Sequence, residues 1–224
     1  LSTNVRKGEI TMDDVAVEEK TEFKFSELSE RAKQKAREAY IDGVEFDAEY
    51  TIDDAETVLG FLGFSIDDRQ VRMMNGKTRG TPDVYYNAGW GHHWVAFNGN
   101  WRAFEVNNAG LLDYAGGDEI KKLGAKAMAV FLRYPNARAD VKRSPRGESM
   151  SIENAVPDPD ADDSENPEAF ERVEADLNDL LEEVEAWFST RLSDEYDYQM
   201  DYERADEYYN NDEDVLFDED GEEL

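Results

Sequence analysis

A chain of 224 residues with 40% hydrophobic and 12% aromatic side chains can bury one good core, and it is too apolar to be simply disordered even at a net charge of −30. The absence of cysteine excludes disulfides, thiol catalysis and thiolate metal sites, and no run approaches the ~18 apolar residues of a membrane span. The acidity argues against direct binding to nucleic acid or to an anionic membrane, whose phosphates would repel it, and points to basic partners. The charge is also unevenly placed. Residues 147–224 hold 30 acids against 3 bases (Arg172, Arg191 and Arg204), whereas residues 1–146 hold 24 acids and 21 bases. Like charges crowded together destabilise a compact state, so this third is expected to be a solvated tail or a surface built for a basic partner.

Residues 1–22 are polar and aperiodic, read as a flexible arm with no signal-peptide pattern. An α+β core is expected over 23–135. Ser29 is a good N-cap for a helix carrying Ala32, Ala36, Ala39 and Tyr40, ended by Gly43. A second helix is expected from Thr51, with Thr51 and Asp54 at capping-box spacing, a stripe of Ala55, Val58, Leu59 and Leu62, and Gly63 as its stop. Val84–Ala88, His92–Phe97 and Trp101–Val106 read as a three-stranded antiparallel meander, with Asn98-Gly99 as a hairpin turn and an extra strand near Val71–Met74. A third helix is expected over Asp118–Arg133, stopped by Pro135.

Residues 136–167, with their Pro-Asp alternation, read as an acidic linker, extended or disordered. A long helix is then expected over about Pro167–Leu192. Its stripe of Phe170, Val173, Leu177, Leu180, Leu181, Val184, Trp187 and Phe188 would pack on the core or on a second copy as a homodimer. The segment through residue 217 alternates around Tyr196 and Tyr198, then a short helix near Tyr202–Tyr209, then Val215-Leu216-Phe217. This pattern suggests a β-α-β end that completes the core of the antiparallel sheet, with 218–224 as a frayed acidic tail.

Catalytic signatures are sparse. His92 and His93 are adjacent, so on a strand they would point to opposite faces and could not easily share one metal. Trp90, Trp94 and Trp101 could stack on bases, but large side chains in a small sheet more often build its core. No calcium loop, phosphate loop, nucleophile elbow or zinc-helix motif occurs. No enzyme activity, metal or cofactor is expected.

The acidic helix is more informative. Glu168, Glu171, Glu174, Asp176, Asp179, Glu182, Glu183 and Glu185 place eight carboxylates on a segment of about 31 Å, roughly one per 4 Å. One DNA strand places a charge every ~3.4 Å. With Asp206, Glu207, Asp212, Glu213 and Asp214, these acids form the candidate partner-binding surface.

The run Phe25-Ser26-Glu27-Leu28-Ser29 through Ala32-Lys33, Lys35-Ala36-Arg37 resembles a set of small bacteriophage and prophage proteins whose N-terminus reads F-x-E-L-S-x-x-A-K-x-K-A-R, some labelled antitoxin-like. Glu45–Tyr50 stands where that family has an acidic, aromatic stretch, and Tyr196–Met200, Tyr202–Asn210 and Phe217–Gly221 are similar to its C-terminal part. The resemblance covers the first 65 residues well and the last third loosely, with 136–167 as an insertion. It implies a phage origin and carries no catalytic residues. The expectation is a non-enzymatic inhibitor in the cytoplasm of the bacterial host, acting as an acidic nucleic-acid mimic in the groove of a basic host nucleic-acid-binding protein or defence complex. By charge alone it shares the logic of phage anti-defence DNA mimics used in restriction or CRISPR evasion. The alternative is an antitoxin-like or scaffold module that makes its protein–protein interaction through the apolar stripe of the helix.

Overall fold

The computed structural model describes residues 22–89, 93–159, 167–212 and 214–224. In chain order the elements are α1 (Glu30–Gly43), α2 (Glu49–Phe61), β1 (Phe64–Ile66), β2 (Asp68–Arg72), β3 (Thr78–Pro82), β4 (Val84–Asn87), β5 (Trp94–Phe97), β6 (Gly99–Arg102), α3 (Asn108–Tyr114), α4 (Asp118–Arg133), β7 (Arg138–Arg143), β8 (Met150–Val156), α5 (Pro167–Gln199) and α6 (Tyr202–Asn211). The fold is α+β, with antiparallel sheets flanked by helices. Two compact units emerge, Leu1–Val44 with Asp201–Leu224, and Glu45–Met200.

The larger unit is built on a four-stranded antiparallel sheet in the order β1-β6-β7-β8, with separate ladders β2-β3 and β4-β5. Trp101 on β6 points into the core, and its indole N–H donates to the Leu62 carbonyl at 2.9 Å, so the largest side chain of the sheet is buried without an orphaned donor. Helix α5 crosses β8 and β5 and runs beside α4 and α2. The amide of Ile152 on β8, the last strand of the sheet, donates to Asn178 Oδ1 of α5 at 2.9 Å, which satisfies part of an edge that would otherwise be open. Val173, Leu177, Leu180, Val184 and Phe188 of α5 are completely buried.

The smaller unit joins segments from the two ends of the numbering. Ser29 caps α1 by accepting from the Ala32 amide at 3.2 Å. Phe25 stacks on Tyr209 of α6 with ring centroids 5.3 Å apart, and Phe217 meets Tyr209 edge-on at 4.9 Å. Phe217 also bridges Phe23 and Glu223. Gly221, at φ +85°, lies so close to α1 that a Cβ there would fall 2.2 Å from the Ala32 carbonyl oxygen.

Several expectations are corrected. The Asn98-Gly99 pair makes no hairpin, since β5 pairs with β4 and β6 pairs with β1 and β7. Gly99 is required by a close approach instead, because a Cβ would meet the Ser65 carbonyl oxygen at 1.9 Å. The expected linker at 136–167 contains the paired strands β7 and β8, in which Ala139, Val141, Ile152 and Ala155 are buried. Only its acidic stretch 160–166 lies outside the described residues. Helix α5 runs on to Gln199, which places Tyr196 and Tyr198 on a helix rather than a strand. The C-terminal segment therefore does not form β-α-β in the central sheet, and 218–224 is a folded turn in which Leu224 N donates to Leu216 O at 2.9 Å. Helix α2 starts at Glu49, two residues before Thr51, where Asp47 Oδ1 accepts from the Glu49 amide at 2.9 Å. The expected arm 1–22 lies outside the described residues except for Glu22.

Two glycines separate steric need from helix propensity. Gly99→Ala is expected to lower stability by at least about 2 kcal/mol, because backbone must move. Gly60→Ala, on α2 with nothing within 4 Å of the added methyl, is expected to raise it by about 0.5–1 kcal/mol. Urea midpoints of the two variants test the contrast.

Candidate functional site

Helix α5 presents three strips set by its 100° step per residue. The buried strip is the apolar one. Beside it, Asp176 and Glu183 face α4, where Arg133 Nη1 pairs with Asp176 and Lys126 Nζ meets Glu183 Oε1 at 2.8 Å. Lys122 Nζ adds a contact to Glu183 Oε2 at 3.3 Å, and Lys126 also donates to the Asp179 carbonyl at 2.7 Å. The pairing has a simple register: seven residues forward on α4, from Lys126 to Arg133, match seven residues backward on α5, from Glu183 to Asp176. Seven residues is nearly two helical turns, so two antiparallel helices bring both pairs onto one seam.

The outer strip carries Glu171, Glu174, Asp179 and Glu182, all exposed. Among the described residues no Lys or Arg lies within ion-pair distance of these four carboxylates. Glu168 pairs with Arg172 at 2.7 Å across an exposed i,i+4 step. Glu185 is half-buried at the margin of the core strip. Two carboxyls on this helix are shifted in opposite senses. The Lys126 hydrogen bond, opposed by burial and reinforced by Lys122, holds Glu183 below the usual carboxylate range. Burial, reinforced by the charge of Glu182, pushes Glu185 above it.

The remaining expected site residues lie in the smaller unit and mostly have partners of their own. Asp206 accepts a bidentate pair from Arg37, Nε at 2.6 Å and Nη2 at 2.8 Å. Glu207 accepts from Arg204 at 2.8 Å, and Asp212 Oδ1 accepts from the Asp214 amide at 3.1 Å. Asp214 is exposed, and Glu213 lies outside the described residues. The thirteen expected acids are not all free carboxylates. They divide between two units, and Glu168, Asp176, Glu183, Asp206 and Glu207 are neutralised by their own chain. The cations that do this on α4 were missed in the sequence, although Lys122, Lys126 and Arg133 recur at helical spacing and are the legible signal.

Of the histidines and tryptophans singled out in the sequence, His93 has its Nε2 3.2 Å from Ser193 Oγ at the surface, with no carboxylate hydrogen-bonded to the ring among the described residues. His92 and Trp90 lie outside those residues, while Trp94 is half-buried and Trp101 fully buried. Among the described residues no group of three or more His, Asp or Glu could hold a metal, and no helix is long and apolar enough to cross a membrane. The hollow between α4 and α5 beside Lys122, Glu183 and Trp187 holds about 180 Å³, and wider ones of about 360 Å³ lie beside Tyr40, Arg204 and Tyr208 and beside Arg102, Arg138 and Asn154. Comparison with protein-family models, curated proteins and solved structures gives no significant match.

The two shifted carboxyls predict opposite pH behaviour. Glu183, with its folded value depressed, stabilises the fold above the unfolded carboxylate range, and that contribution disappears as pH falls through the folded value. Glu185, with its folded value raised, costs stability as pH rises through that value. Glu183→Gln is expected to destabilise the protein at pH 7 and to have little effect at pH 3, on the order of 1 kcal/mol at most for a pair near the surface. Glu185→Gln is expected to stabilise at pH 7. Urea midpoints across this pH range measure both.

Proposed function

We propose that this protein is a phage-encoded, non-enzymatic inhibitor whose α5 carboxylates occupy the nucleic-acid groove of a basic host defence or DNA-processing protein. The observation that carries this reading is the outer row Glu171, Glu174, Asp179 and Glu182, exposed and without an intramolecular cation among the described residues. From Glu171 to Glu182 the helix rises about 17 Å. One nucleic-acid strand places about five phosphates over that distance, against four carboxylates here. Glu168, Asp176 and Glu183 are paired internally, and the four acids of the row form a face rather than a line, with Glu174 about 60° to one side of Glu171 and Asp179 about 80° to the other, at an axial density near that of one strand.

Rigidity favours the same reading. The opposite side of α5 is core, so the carboxylates are held on a fixed rod and little side-chain-bearing backbone has to be ordered on binding. A basic groove would be recognised by charge and by shape, without chemistry on either side. Long-range attraction would make association fast and dependent on salt. The alternative, docking through the apolar stripe of α5, loses its basis because Val173, Leu177, Leu180, Leu181, Val184 and Phe188 are buried within the chain's own fold. The same burial removes the surface for a homodimer through that stripe.

The test is displacement of labelled DNA from the basic protein captured out of a bacterial lysate, at low and high salt. The native chain is expected to displace the DNA, less effectively as salt rises. Reversal of the four outer acids, Glu171→Lys, Glu174→Lys, Asp179→Lys and Glu182→Lys, is expected to weaken displacement at least about tenfold at an unchanged melting temperature, since exposed ion-free positions contribute little to folding. Undiminished displacement by that variant would sink the proposal.

A further inference from the structure

Strands β2 and β3 form a two-stranded ribbon that differs from the rest of the molecule in three ways. Every residue of β2 is open to solvent, as are Thr78 and Arg79 of β3, while Gly80, Thr81 and Pro82 at its root are half-buried. It makes no substantial contact with any other element, apart from an exposed approach of Arg79 to Glu49 at 3.9 Å. And it is basic: residues 69–79 contain Arg69, Arg72, Lys77 and Arg79 and no acid, in a chain of net charge −30.

The register sorts these side chains. Arg69 lies opposite Thr81 and Val71 opposite Arg79, while the Met73 amide donates to the Lys77 carbonyl at 2.7 Å. Residues opposite one another share a face. One face therefore carries Arg69, Arg79 and Lys77 around Val71 and Met73. The turn is well defined: the Gly76 amide donates to Met73 O at 2.9 Å, the Lys77 amide donates to Asn75 Oδ1 at 3.0 Å, and Gly76 has φ +79°. It presents Met74 fully exposed at the tip, with Met73 at 42% and Val71 at 37% behind it. Three apolar side chains clustered at an exposed tip, with cations behind them, form the kind of patch that marks a docking surface.

We infer that the β2–β3 ribbon is a docking arm for an anionic lipid surface, with Met73 and Met74 entering the boundary between headgroups and acyl chains and Arg72, Lys77 and Arg79 meeting the phosphates. The chemistry matches on both counts: interfacial binding combines buried apolar area with cationic attraction to anionic lipid. Each Lys or Arg near such a leaflet adds about fivefold to affinity. The acidity of the body is not prohibitive at the tip. Asp68, at the root of β2, is six residues from Met74, about 20 Å along the strand, and Glu49, which approaches the ribbon, is matched by Arg79 at 3.9 Å. Arg72 and Lys77 lie within three residues of Met74 and reach the surface with it. A duplex groove suits the arm less well, because DNA carries one charge per ~1.7 Å of axis and would repel the acidic body more strongly than a leaflet does. This inference does not rest on the inhibitory role of α5, which lies on a different element and is tested separately.

The experiment is flotation of the full chain with phosphatidylcholine vesicles prepared with and without phosphatidylglycerol, alongside a labelled DNA duplex. Binding is expected to the phosphatidylglycerol vesicles only. Met74→Trp is expected to show a blue-shifted emission with those vesicles and no shift with phosphatidylcholine alone. Met73→Ser with Met74→Ser, and separately Arg72→Gln with Lys77→Gln, are expected to lower vesicle binding, the latter by roughly 25-fold at about fivefold per cation. Neither pair should change the melting temperature, since Arg72, Met73, Met74 and Lys77 are all exposed. Failure to bind anionic vesicles, binding that ignores both pairs of substitutions, or binding to the duplex in preference to the vesicles would overturn the inference.

Discussion

Packing of Val173, Leu177, Leu180, Val184 and Phe188 against β8, β5 and α4 holds in place a helix that its own charge would otherwise push into solvent. The magnitudes settle the contest. Each such side chain contributes about 1.5–3 kcal/mol on burial. A like-charge pair one turn apart on an exposed helix face costs only a few tenths. A handful of buried side chains therefore outweighs the repulsion within the acidic row, and the row can be kept at a density no isolated helix would favour. The same packing fixes Asn178 under the last strand of the sheet, so the order of β8 and the position of the carboxylates are set by one contact surface.

The asymmetry of charge along the chain is in part a division of labour between acids late in the sequence and bases early in it. Arg37 meets Asp206 and Lys35 meets Glu222 in the smaller unit, while Lys126 meets Glu183 and Arg133 meets Asp176 in the larger. The bidentate Arg37–Asp206 pair is partly shielded and geometrically exact enough to contribute to the fold, whereas the exposed Lys35–Glu222 pair is worth little by itself. A surplus remains after these pairings, and it is the surplus that gives α5 an outer face of one sign.

Five of the six helices among the described residues are legible in the sequence because each carries its own evidence, whereas the seven-residue α3 (Asn108–Tyr114) has no such pattern. Asp118–Arg133 follows from Ile120, Leu123, Ala127 and Val130 with Pro135 beyond, and α6 from its aromatic spacing, and both stand where the pattern puts them. The strands were less legible, since pairing is a relation between distant residues. Asn98-Gly99 has the composition of a hairpin turn, but the constraint on Gly99 comes from the Ser65 carbonyl of a strand more than thirty residues earlier. Likewise the proline and acid of 157–166 coloured the whole of 136–167, and hid the alternation of Ala139 and Val141 with polar neighbours. The candidate acids were legible as carboxylates, but not as free carboxylates. Which of them are neutralised depends on helix α4, and nothing local to Asp176 or Glu183 reveals it. Averaging over the chain hid the basic ribbon in the same way.

The meeting of Phe23 with Phe217 has a consequence for biosynthesis. Glu45–Met200 has its own core and every strand partner it needs once Met200 has left the ribosome. The smaller unit cannot close at that stage. Phe25, Leu28 and Ala36 wait, uncovered, while the whole intervening segment is translated, and they are sealed only when Tyr209 and Phe217 emerge. A ribosome stalled shortly before Tyr209 would leave a nascent chain with one finished unit and with Phe25 and Leu28, just ahead of the polar helix α1, still open to solvent.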